Sequence, residues 1–150
     1  MKRLIVVCAL FMSAQATYAD ELLVVKSARP VMETLDRLEI TAKSKGFSIV
    51  ARVDHSGAAA KTGLQLRPTA LLIFGNPQVG TPLMQCDQRA GIDLPLKALA
   101  WQDETGQVWL GMVDPEVLKA RYDLNTSCNE PIALMRRVVV GLLDTVSKGP

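Results

Sequence analysis

The run from Leu71 to Gln85, LLIFGNPQVGTPLMQ, constrains this chain more than any other stretch. Thr69 to Phe74 carries no charge and is mostly bulky and apolar, the composition of a strand placed centrally in a sheet. Gly75-Asn76-Pro77 must turn the chain there, because proline cannot continue a strand ladder. Gly80 adds a second flexible point. Thr81-Pro82 then reads as a helix cap followed by the first helical residue. The spacing predicts a helix to about Arg89, with Gly91 just past its end.

The flanking chain supplies the rest of a sheet and its cover. Leu22 to Ser27 reads as a first strand, and Pro30 suits the first turn of the helix that follows. Val31, Leu35, Leu38 and Ala42 make one buried stripe of that helix, and Gly46 ends it. From Phe47 to Asp54 the pattern alternates, with Phe47, Ile49, Ala51 and Val53 pointing inward and Val50 as an exception. Ser56 is placed to cap a short helix through Ala58 to Thr62, closed by Gly63, before a connector from Leu64 to Pro68. Leu94 to Gln102 and Gln107 to Val113 are two further strands joined by the hairpin turn Asp103-Glu104-Thr105-Gly106. Trp101 and Trp109 sit near that turn and cover one sheet face. Asp114-Pro115 starts a short helix to about Tyr122.

A last helix begins near Glu130 or Pro131 and reaches about Val146. Its apolar residues, among them Ile132, Leu134, Met135, Val139 and Leu142, form a stripe wide enough for core or for a dimer interface. Arg136, Arg137 and Asp144 make it a poor membrane span. The order of elements predicts an α+β fold, a two-layer α/β sandwich in which one mixed or largely antiparallel sheet of about five strands is covered by helices.

The N-terminus reads as an address. Lys2 and Arg3 precede the apolar run Leu4 to Met12, and Thr17-Tyr18-Ala19 resembles a cleavage site, so residues 1–19 are expected to be a secretory signal peptide. Cleavage after Ala16 fits as well, and a retained anchor is the alternative. On this reading the protein is periplasmic or secreted in a bacterium, residues 20–150 form one domain, and no membrane span remains. Losing Lys2 and Arg3 leaves 15 basic against 15 acidic residues, with no concentrated basic footprint, which excludes nucleic acid as a partner. Losing Cys8 leaves Cys86 and Cys128, a disulfide candidate in an oxidising compartment. Two unrelated thiols are the alternative.

Several separated blocks then occur together: Asp54-His55-Ser56, Leu72-Ile73-Phe74-Gly75-Asn76-Pro77, Gly80-Thr81-Pro82-Leu83-Met84, Leu94-Pro95-Leu96, Trp101, Val108-Trp109 and Asp114-Pro115. In that order they resemble the bacterial family called domain of unknown function 302, most densely over about residues 50–122. The resemblance implies a small two-layer α/β domain, dimeric, with no established activity and therefore no catalytic residues to carry over.

Candidate chemistry is sparse. The loop Gly75–Thr81 leads to a helix start, where backbone N–H groups and the helix dipole can hold an anion, and His55, Gly75, Asn76, Gly80 and Thr81 are the candidate ligand-binding residues. The loop lacks the Lys-Ser/Thr ending of a phosphate loop and the three spaced glycines of a dinucleotide site, so a structural turn is its plainer reading. His55 is the sole histidine and the one candidate general base, but no spacing selects a nucleophile for it. A strand-end imidazole bonded to a turn is the plainer reading. One histidine also argues against zinc, and Met84, Met112 and Met135 with the cysteines lack the clustering that soft metals need. No metal and no cofactor is expected. The sequence therefore points to a non-enzymatic module that binds a small ligand or a protein, as a homodimer. One alternative is an enzyme using His55 beside the Gly75–Thr81 loop; another is a structural partner of an envelope protein through the C-terminal helix.

Overall fold

Strand and helix formers alternate along the chain, and the computed structural model, which describes residues 21–148, follows them. The expected signal peptide lies outside the described residues. The elements are β1 (Leu22–Ser27), α1 (Val31–Ser44), β2 (Ser48–Asp54), α2 (His55–Lys61), β3 (Thr69–Gly75), α3 (Pro77–Cys86), β4 (Leu96–Gln102), β5 (Val108–Val113), α4 (Val117–Arg121) and α5 (Asn129–Ser147). Short 3-10 turns occupy Gln88–Ile92 and Thr126–Cys128.

The five strands form one sheet in the order β1-β5-β4-β3-β2, and every neighbouring pair is antiparallel. β3 is interior, as its composition demands, but the central strand is β4. Helices α1 and α5 cover one face. Their buried residues, including Leu35 and Leu38 from α1 and Val139 and Leu142 from α5, pack on Leu72, Phe74, Ala98, Leu110 and Met112 of the sheet. Phe47 meets Phe74 edge to face with centroids 5.7 Å apart, the arrangement ring quadrupoles favour. The result is an α+β sandwich of two layers.

Strand β2 departs from simple alternation. Ile49 pairs with Phe74 and Ala51 with Ile73, so Val50 is the extra residue of a β-bulge and its side chain is 62% exposed. One added residue moves everything after it to the opposite face. Ala51 and Val53, expected inward, point away from the helices, and Arg52 points toward them. There the Arg52 guanidinium reaches Asp36 at 2.6 Å and Glu39 at 3.3 Å on α1. The exception at Val50 was the visible trace of this bulge.

A smaller core lies beyond the sheet's end, built from Leu83, Ala90, Leu118, Tyr122, Ile132 and Met135. A disulfide between Cys86 and Cys128, with α-carbons 6.0 Å apart, ties the end of α3 to the start of α5 beside it. The apolar stripe of α5 is consumed by these two cores. Ile132, Met135, Val139, Leu142, Leu143 and Val146 are buried within the chain, which leaves the helix only Val140 as an exposed large apolar residue.

Candidate functional site

Asn76 decides how the chain leaves β3. Its Oδ1 accepts the Gln78 amide at 2.8 Å, and its Nδ2 donates to the Gly46 carbonyl at 3.0 Å. The first contact caps α3 and the second fastens that cap to the α1–β2 turn. Helix α3 therefore starts at Pro77, and not at Thr81-Pro82, which lies a turn inside it. Asn76 outcompetes Thr81 because an Asn followed by Pro combines a strong cap with a ring preset for the first helical position.

This arrangement removes the basis for an anion cradle. Pro77 has no N–H, the Gln78 amide is capped by the Asn76 side chain, and the Val79 and Gly80 amides donate to the Asn76 carbonyl at 2.9 and 3.0 Å. The donors of the first turn are already satisfied. The glycines have a packing task. A Cβ on Gly75 would lie 3.1 Å from the Pro95 ring, and one on Gly80 would lie 3.4 Å from Leu94. They let the segment before β4, which contains the cis Leu94-Pro95 bond, press against α3.

What these contacts enclose is a cleft of about 510 Å³ at the β2 start, between α3, the 91–96 segment and α5. Gly75, Asn76, Gly80 and Thr81 line it, as do Phe47, Val50, Met84, Leu94 and Met135. The lining is almost wholly apolar and includes no Asp, Glu, Lys, Arg, His or Cys side chain. Ser48 and Thr81 contribute hydroxyls that make no hydrogen bond among the described residues. The volume is that of a small-molecule site.

His55 is elsewhere. Ser48 pairs with Gly75 and Asp54 with Ala70, so His55 follows the far end of the same strand pair, roughly 20 Å away at about 3.3 Å per residue. It is exposed and opens α2. Asp54, and not Ser56, caps that helix: its Oδ1 accepts from the Gly57 amide and the Ser56 hydroxyl, both at 2.8 Å. These two donors hold the Asp54 carboxyl below its usual range. Among the described residues the His55 ring makes no hydrogen bond to a Ser, Thr or Cys side chain. Among the described residues no group of three His, Cys, Asp or Glu side chains could hold a metal ion. Met84 and Met135 do converge, but as walls of the cleft, while both cysteines are bonded to each other.

Residues 23–142 match the family described as Domain of unknown function DUF302. The chain belongs to the DUF302 family. An uncharacterised conserved DUF302 protein from Bacillus stearothermophilus, solved by crystallography, has the same fold, with a TM-score of 0.77 over 85% of this chain and 99% of that one at 24% identity. Proteins of Brucella suis and Brucella melitensis named fluoride-specific ion channel FluC 1 and FluC 2 are 47% identical to this chain over 114 residues. That match takes in 76% of this chain but only 45% and 42% of theirs, so the chain spans less than half the length of these relatives.

The cleft residues that sequence reasoning missed, Phe47, Val50, Leu94 and Met135, come from three separate segments: the start of β2, the stretch before β4, and α5. Two signals existed: the misfit of Val50 in its strand, and Leu94-Pro95 as a block of the family pattern without a structural task.

Proposed function

We propose that this DUF302 protein is a non-enzymatic binding module whose cleft takes a neutral, mostly apolar small molecule. The observation that carries this is the lining: an apolar hollow with two unpartnered hydroxyls at Ser48 and Thr81 and no ionisable side chain. Such a wall favours shape and burial of apolar area over charge, and general acid–base chemistry has no group to use there. An anionic ligand would meet neither a cation nor a free helix amide. The pair Cys86–Cys128 supports a working place outside the reducing cytoplasm, in keeping with the exported reading of residues 1–19.

The test is ligand binding with a filled-cleft control. A thermal-shift and calorimetric screen of neutral apolar compounds should find binders, and Thr81→Phe, at an exposed position on the cleft wall, should abolish binding while leaving the melting temperature within a few degrees. Equal binding by Thr81→Phe, or a preference for anions over neutral compounds, would reject the reading.

The Brucella relatives favour a second reading, in which the domain works beside a membrane ion channel. In them a segment 47% identical to this chain is part of a longer protein named for fluoride. On that reading, deletion of this protein alters fluoride tolerance of the cell; an unchanged growth curve across fluoride concentrations would set it aside.

A further inference from the structure

The sheet has a second face. Pairing places Val24, Gly111, Leu99, Leu71 and Val53 in one row across all five strands, on the side opposite the helices. The row is apolar from edge to edge, and none of these residues belongs to either buried core. On the same face, Trp101 and Trp109 stand opposite each other one row along. A Cβ on Gly111 would lie 3.0 Å from the Trp101 ring and 3.4 Å from Val24. Glycine thus lets the indole lie flat on the sheet and keeps the surface level.

The charges of this face stay at its margins. The Lys26 ammonium sits 5.4 Å from the Trp109 ring centre on edge strand β1. Lys97, at the start of β4, donates to the carbonyls of Asp93 and Pro95. No acidic side chain of the strands lies on this face, and Asp103 at its hairpin end is engaged by the Trp109 indole N–H, so a charged partner would find little pattern to read. Its extent matches a specific contact: five strands about 4.8 Å apart and roughly 19 Å long outline about 450 Å² in projection. Counting side-chain relief and both copies, about 1,000 Å² would be covered, the lower bound for a specific interface between proteins.

We infer that this face docks a second copy of the chain, sheet on sheet, in a two-fold dimer. Two antiparallel sheets of the same twist pack face to face about 10 Å apart with their strands aligned within about 30°, and an identical face is the complement with matching twist and apolarity. The interface differs from the helix-mediated one that the α5 pattern invites, because α5 has no stripe left to offer.

The chain's two tryptophans both lie on this face, so their emission reports its cover directly. Sedimentation equilibrium of the purified protein should give a dimer, and Trp emission should shift to the red as dilution separates the copies. Leu99→Lys at the centre and Val24→Lys on the edge strand should each give a monomer with unchanged circular dichroism. Val140→Lys, on the outer side of α5, should leave the dimer intact. A wild-type monomer at every concentration with constant emission would overturn the inference. So would a dimer that persists in both face variants, or one that is lost only in Val140→Lys.

Discussion

Leu71 and Leu72 are adjacent in the chain and equal in hydrophobicity, yet they lie on opposite sides of one sheet. Leu72 is fully buried beneath the helices, while Leu71 is half-buried in a row that no core includes. The same division runs through Phe74 and Ile73, and through Ala98 and Leu99. Coverage, and not composition, distinguishes the two faces. A strand that reads as apolar throughout is usually enclosed on both sides. β3 has that composition, but among the described residues only one of its sides is covered.

The largest expected effect breaks the comparison at its centre. Leu72→Ala removes a fully buried side chain and should cost about 2–5 kcal/mol of folding stability. Leu71→Ala should cost about 1 kcal/mol or less when the protein is dilute, and more as concentration rises. Urea unfolding at two protein concentrations measures both. Equal costs at both positions would mean that the second face is covered within the chain.

Next comes the cross-link of the small core. Closing the segment between Cys86 and Cys128, 42 residues apart, is worth about 4 kcal/mol on the chain-entropy model. Cys86→Ser with Cys128→Ser should lower the urea midpoint accordingly. The loss should also weaken ligand binding, because Met135 belongs both to this core and to the cleft wall. Asn76→Ala should cost about 1–2 kcal/mol through the lost cap of α3, read in the same experiment.

The smallest effect lies at the hairpin bounding the open face. Asp103 accepts from the Thr105 hydroxyl, the Thr105 and Gln107 amides and, at 2.7 Å, the Trp109 indole N–H. The indole first, then the Thr105 hydroxyl, pull its pKa down to about 2. A carboxylate lowered in the folded state stabilises it above the unfolded pKa of about 4, and this contribution is lost as pH falls toward about 2. Trp emission should therefore change over that interval in the wild type. Asp103→Asn should flatten the change.

Much of this was legible in the sequence. Apolar periodicity located the strands and the two long helices, and the Asp103–Gly106 turn fixed the β4–β5 hairpin. The order of elements predicted the two-layer fold, and the family resemblance implied the same. Misreadings arose where local signals competed: Asn76-Pro77 and Thr81-Pro82 both look like helix starts, and only the contact of Asn76 with Gly46, thirty residues earlier in the chain, selects the first. The bulge at Val50 was equally hidden, since alternation says which residue fails to fit but not which face the following residues take. The candidate loop was found because its glycines and prolines are unusual, whereas its physical role, packing α3 against the Leu94-Pro95 segment, needed coordinates. His55 drew notice by being single, and nothing in one-dimensional spacing places it at the other end of the strand.

Hydroxyl-radical footprinting across protein concentration tests the contrast between the two faces most directly. Phe74 and Leu72 should be protected at every concentration. Leu99, Trp101 and Trp109 should be labelled in dilute protein and become protected as concentration rises. Labelling of Leu99 and both tryptophans that does not change with concentration would contradict the account.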